Sequence, residues 1–179
     1  MTPATVDIPG YTTGTWVIDP VHSDVSFTVR HLGVAKVRGA FEIFDGEIVL
    51  AENPLDSSVT ANVDLNSINT SNAQRDNHVR SADFLDVTNH PTLTFKSTQV
   101  RQDGEDFALD GELTLHGVTK PITLALEING FAESPDGTPI VGFSTTGPID
   151  RTEFGVGGSS PTVASKIQLA IEVEAARKQ

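Results

Sequence analysis

The chain has 179 residues, no cysteine, and 12 basic against 24 acidic side chains, a formal net charge of −12. Without cysteine there is no disulfide, thiolate metal site or cysteine nucleophile. The charge excludes a nucleic-acid partner held by electrostatics, which needs a basic face. A chain of this length suits one domain that buries roughly two thirds of its unfolded surface.

The opening MTPATVDIPGYTTGTW carries no lysine or arginine and no long apolar run. It matches neither a secretory signal nor a membrane span. Residues 1–15 are therefore expected to be a flexible arm, residues 16–179 a single domain, and the protein cytoplasmic. From Val25 the apolar residues fall on alternate positions, Val25, Phe27 and Val29, with Ser26, Thr28 and Arg30 between them. This is the period of a strand with one buried face. Val37, Gly39, Phe41 and Ile43 continue it, followed by Val59 to Leu65, Leu93 and Phe95, Phe107 to Leu115, Ile122 to Ile128, Val141 and Phe143, and Val163 to Val173. Eight strands are predicted, at roughly 16–31, 34–50, 57–67, 92–101, 105–116, 120–131, 139–150 and 162–174. Short turn signals such as HLGV, RQDGED and ESPDGTP make neighbours antiparallel.

Eight antiparallel strands with one continuous apolar face close into an all-β, up-and-down barrel, which removes exposed edges. A two-sheet sandwich has the same alternation and is the alternative. An outer-membrane barrel requires an uncharged outer band, whereas the face opposite the apolar one carries Glu42, Asp64, Lys96, Asp110, Glu112, Glu127, Glu172 and Glu174. The apolar face thus points inward.

One segment breaks the rhythm, RDNHVRSADFLDVTNHP from Arg75 to Pro91 with the residues before it. Ser71 and Gln74 match a capping box, so a short helix is predicted between strands three and four, ending near Ala82. Asp76 and Arg80 stand one turn apart and could pair, while Arg75, Val79 and Ala82 would face the barrel mouth, with Phe84 as an apolar anchor. The histidines are scattered in sequence and form no His-x-x-x-His pair, so His78, His90, Asp76 and Asp83 are expected to tie the segment down by hydrogen bonds without a metal. No Gly-x-Ser-x-Gly elbow marks a nucleophile. The glycine-rich RTEFGVGGSSP lacks a phosphate-loop lysine and reads as a flexible turn, so no cofactor and no catalytic residue is expected.

Four blocks carry a family resemblance: WVIDPVHSDVSFTVRHLGVAKVRGAF, RDNHVRSADFLDVTNHPTLTFKST, GELTLHGVTKPITL and IDRTEFGVG. With them the chain resembles the YceI-like family of polyisoprenoid-binding, lipocalin-like proteins from Trp16 to Val173. The resemblance implies an eight-stranded barrel with a helical insertion after the third strand, a long apolar channel for an isoprenoid or similar lipid chain, and a homodimer. Many such proteins carry a secretory signal, and this chain shows none.

An eight-stranded barrel is filled by its own side chains or encloses one small ligand, according to the sizes of the inward residues. Gly39 and Gly111 fall on the inward parity, where they either open a gap or let strands bend. The resemblance favours a gap, which assigns the channel to Phe27, Val29, Gly39, Phe41, Ile43, Val63, Phe84, Phe95, Gly111, Leu113, Phe143 and Ile167. A polar head would meet His31, Arg38, Arg75 and His78 at the mouth, unless these side chains are simply solvated or paired. Three readings follow: a lipid carrier, store or buffer; an enzyme acting on a lipid precursor through residues 75–90; and a stress-response interaction protein with a solid barrel.

Overall fold

The alternation in sequence becomes inside and outside along each long strand. In the computed structural model, which describes residues 7–179, Phe107, Leu109, Leu113 and Leu115 are buried on one strand and Val141, Phe143, Thr145 and Ile149 on another. The strands are β1 (Gly14–Ile18), β2 (Asp24–His31), β3 (Ala35–Phe41), β4 (Phe44–Leu50), β5 (Ser58–Asp64), β6 (Ile68–Asn69), β7 (Thr92–Asp103), β8 (Asp106–Leu115), β9 (Val118–Glu133), β10 (Pro139–Asp150) and β11 (Val163–Arg177). Among the described residues there is one α-helix, α1 (Ala73–Arg80), which precedes β7.

Strands β1, β4, β5, β7, β8, β9, β10 and β11 pair in that order, and β11 returns to β1, closing an eight-membered antiparallel ring. The other three extend it at one end. β2 pairs with the first part of β11, as in Val25↔Ile171, β3 pairs with β2, and β6 with β3. β1 and β2 are thus two halves of one broken stave, and β3 and β4 halves of the next, which reconciles eleven strands with the eight expected.

The second break carries a correction. Inward parity predicts Ile43 in the channel, yet it is 60% exposed and Phe44 turns in instead. A shift of one residue in a strand exchanges its faces. The kink is held by Ser67, whose hydroxyl oxygen accepts from the amides of Glu42 and Ile43, both at 3.0 Å, and replaces the ladder bonds lost there.

Two glycines are also explained differently from the expectation of a gap or a bend. The Phe27 ring lies over Gly39, its partner across β2 and β3, and the Phe95 ring lies over Gly111. Each glycine makes room for an aromatic ring from the neighbouring strand, so the space of the missing side chain is already filled.

Residues ahead of β1 are partly tethered, and residues 1–6 of the expected arm lie outside the described residues. The Tyr11 hydroxyl donates to the Ala51 carbonyl at 2.5 Å, and its ring meets Phe131 edge-on at 5.7 Å. Trp16, with no exposed surface, also packs edge-on against Phe131, at 5.8 Å. On the outer wall Arg101 donates two hydrogen bonds to Asp110, and Thr123 adds a third across β7, β8 and β9. These donors hold the Asp110 carboxyl at about 2, below the ordinary aspartate range, so the clamp stays ionised through mild acid. Among the described residues no helix is long and apolar enough to cross a membrane.

Candidate functional site: the cavity under the helix

Among the described residues the interior holds a large cavity and a smaller void. At the end where β2, β3 and α1 meet lies a cavity of about 720 Å3, within the range of small-molecule sites. Its walls are Phe27, Val29, Val37, Phe41, Leu93, Leu115, Ile149, Ile167 and Leu169, and Val79, Phe84 and Leu85 cover it from the helical segment. At the opposite end a smaller apolar void of about 100 Å3 lies among Ile18, Ile48, Leu109, Phe131, Phe143 and Val173. Phe95, Ile122 and Leu169 pack against core clusters on both sides. The interior therefore has a waist where one continuous channel was expected.

The channel residues predicted from sequence sort accordingly. Phe27, Val29, Phe41, Phe84 and Ile167 line the large cavity, and Phe143 the smaller void. Val63 and Leu113 are buried in the wall at 5% and 2% exposure, lining neither space, and Phe95 belongs to the waist over Gly111. Gly39 lies beneath Phe27, and Ile43 is outside.

At the rim, His31, Arg75 and His78 line the cavity, joined by Arg30 and Asp83. Arg38 does not. It alternates with the inward Val37 and Gly39 and is exposed on the outer face. Arg75 is oriented by Thr70, donating to its hydroxyl at 2.8 Å and to its carbonyl at 2.6 Å. His78 is hydrogen-bonded to Asp83 at 3.1 Å and meets the Phe84 ring edge-on at 5.0 Å.

The helix that carries these groups begins one residue later than the capping box predicts. Asn72 is the cap, its side chain accepting from the Arg75 amide at 2.9 Å, while Ser71 takes a left-handed conformation at φ 65°. The helix ends at Arg80, so Ala82 lies beyond it and is exposed. Asp76 and Arg80 do not pair. Asp76 is buried and accepts from the amide and hydroxyl of Thr70. Arg80 reaches the carbonyls of Asn66 and Ile68, at 3.0 and 3.1 Å, and so pins the helix to the start of β6. Satisfying a nearby orphan backbone group outweighs an exposed ion pair worth a few tenths of a kcal/mol.

Several lining residues, such as Leu115 and Ile149, were not assigned to the channel from sequence, and neither was one buried charge. Arg151, only 4% exposed, lines the cavity from the turn after β10. It donates to the carbonyls of Ala164, Val156, Gly158 and Val163 at 2.7–3.1 Å. Among the described residues no carboxylate pairs with it. Two of its partners, Val156 and Gly158, belong to the glycine-rich loop, and two, Val163 and Ala164, to the start of β11, so the arginine ties the loop to the strand that follows it. That combination, an arginine just before a glycine-rich stretch, is the sequence signal that could have pointed to it. The cavity lining thus holds three arginines and one aspartate on a chain of net charge −12.

A closed eight-stranded antiparallel barrel, with a helix over one end and an apolar cavity with a basic rim beneath it, defines a lipocalin-like barrel protein. The chain belongs to the YceI-like family, whose model, described as a YceI-like domain, matches residues 16–175. A UPF0312 protein of Pectobacterium carotovorum is 39% identical over 159 residues, covering 88% of this chain and 83% of the relative. Among solved structures the YCEI protein of Campylobacter jejuni superposes with a TM-score of 0.75 at 31% identity, covering the whole of both chains. A polyisoprenoid binding domain from Saccharophagus degradans shares the fold with a TM-score of 0.73 at 16% identity, over 93% of this chain and all of that one.

Proposed function

We propose that the protein binds a long-chain lipid of the polyisoprenoid kind, as a carrier, store or buffer, with the chain in the large cavity and the polar end at the rim. The observation that carries this reading is the cavity itself: about 720 Å3 with apolar walls and a basic rim on an acidic protein. Each methylene transferred from water to such walls contributes about 0.8 kcal/mol, so affinity grows with chain length without special polar contacts. Arg30, His31, Arg75 and His78 then offer donors to an anionic or carbonyl-bearing head. The likeness in fold to the polyisoprenoid binding domain from Saccharophagus degradans supports the ligand class.

Binding is favoured over catalysis because the acid–base pair His78 and Asp83 at the rim is well solvated, at 59% and 76% side-chain exposure. A reacting group there would lack the water-excluded setting that gives electrostatic catalysis its strength. We further propose a homodimer in solution, on the family resemblance and the neighbouring outward valines Val17 and Val49, each 42% exposed on paired strands. Light scattering should then report twice the chain mass of 19.1 kDa, and a mass equal to one chain would count against it.

The lipid reading is tested by native mass spectrometry of gently purified protein, followed by solvent extraction and titration of the stripped protein with a fluorescent polyprenyl probe. A lipid of defined mass should co-purify, and Ile167→Trp, which fills the cavity from its wall, should weaken probe binding at least about tenfold with the barrel intact. Protein that carries no lipid and takes up no probe would overturn the reading.

A further inference from the structure

We propose a divalent-metal site of the zinc class, formed by Asp86, His90 and His116 outside the lipid cavity. Asp86 and His90 belong to the loop between α1 and β7, and His116 to the two-residue turn joining β8 and β9. The three residues bring one ligand atom each to within 4.8 Å of one another, and all are half-buried. Tetrahedral zinc, with bonds of 2.0–2.2 Å, sets ligand atoms about 3.4 Å apart, a spacing within reach of small side-chain rotations from this arrangement.

The surroundings prepare the ligands. His116 Nδ1 lies 3.1 Å from the Phe154 carbonyl. A carbonyl only accepts, so Nδ1 carries the proton and Nε2 keeps its lone pair for a metal. The Asp86 carboxylate accepts from the Asn89 amide at both oxygens, 3.2 and 3.0 Å, which orients it. The His90 amide donates to the Asp86 carbonyl at 2.8 Å, so the two ligands are fixed in one turn. Among the described residues no hydrogen bond reaches the His90 ring, which lies 4.9 Å from the His116 ring, centre to centre. Gly117 leaves it that room: a Cβ there would stand 2.9 Å from His90 Cε1.

Two imidazoles and one carboxylate suit zinc, and also iron, cobalt, nickel or copper, far better than calcium or magnesium, and three protein ligands leave a coordination position open. A bound ion would join the loop after α1 to the β8–β9 turn and, through the Phe154 carbonyl, to the segment bearing Arg151. None of the three ligands lines the cavity, so the site stands or falls independently of lipid binding.

The test is calorimetric titration of chelator-stripped full-length protein with zinc chloride, with cobalt(II) absorption as a second probe. One equivalent should bind per chain, with visible cobalt bands typical of four-coordination and a higher melting temperature on zinc addition. His90→Phe, which keeps an aromatic ring in place, and Asp86→Asn, which keeps the shape of the carboxylate, should each lower zinc affinity at least about tenfold and abolish the melting shift. His22→Ala should change nothing, since it removes the other, more exposed grouping of Asp19, His22 and Glu174. Absence of saturable binding, or binding that survives both His90→Phe and Asp86→Asn, or binding lost in His22→Ala, would overturn the proposal.

Discussion

Arg151→Met should lower the stability of the barrel by about 3 kcal/mol or more and loosen the loop from Val156 to Val163. Methionine fills much of the volume but donates nothing, and each buried carbonyl left without a donor costs about 1–3 kcal/mol. Four carbonyls depend on this one guanidinium at 3.1 Å or less. Arg151→Lys separates charge from geometry. It keeps the positive charge, but a compact ammonium with three donors cannot span the same carbonyls. The lysine variant should therefore recover less than half of the loss. Urea midpoints, with hydrogen exchange over residues 156–163, measure both effects. A methionine variant within about 0.5 kcal/mol of the parent, the range of an ordinary surface change, would show that the loop holds its shape without the arginine.

The second large effect distinguishes two glycines that look alike in sequence. At Gly111 an added Cβ would meet both the Phe95 ring and the Lys96 carbonyl oxygen, the latter at 2.8 Å. The ring belongs to the waist, packed from both sides, and the carbonyl is backbone. Neither can yield cheaply, so Gly111→Ala should cost about 1–3 kcal/mol and Gly111→Leu more. At Gly39 the atoms nearest to an added Cβ all belong to the Phe27 ring, which borders the large cavity. That ring can swing into open space. Gly39→Ala should therefore change stability little and instead reduce the volume left for a ligand, lowering affinity for the polyprenyl probe. Denaturant midpoints and probe titrations on the same two variants check this; equal losses of stability at both positions would remove the distinction.

These glycines also mark where reading the sequence stops. Alternation along Phe107, Leu109, Leu113 and Leu115 reports a face, because a strand has only two and a closed barrel assigns them to inside and outside. Eight staves, the inward face and the lone helix were legible on that ground. Whether an inward glycine is a gap or a seat for a ring depends on the rotamer of a residue on the next strand, and alternation carries nothing about that. Ile43 shows the same limit over a longer span: the hydroxyl of Ser67, 24 residues away, holds a kink that reverses the local parity. The predicted pairing of Asp76 with Arg80 failed because both found partners in the preceding segment, Asp76 at Thr70 and Arg80 at the carbonyls of Asn66 and Ile68. His90 and His116 read as isolated since 26 positions separate them, and only the pairing of β7 with β8 brings their rings to 4.9 Å. Arg151 was hidden because a charge in a polar stretch suggests solvent, and its burial comes from how the following loop folds back over it.

The way the ring closes has a consequence for how the protein is made. β11 is held on one side by β10 and on the other by β1 and β2, with Trp16 opposite Arg177 and Val25 opposite Ile171. The first strands to leave the ribosome thus wait for the last. Until residues near 177 have emerged, β1 lacks a partner that lies about 160 positions away, and the inner faces of the earlier strands stay open to water. Contacts this distant in sequence slow folding, because the entropy of closing the loop is lost before any pairing energy is gained. The barrel is therefore expected to reach its native state only after β11 has emerged, and nascent chains truncated before Val163 should remain protease-sensitive even though seven of the eight staves are already present.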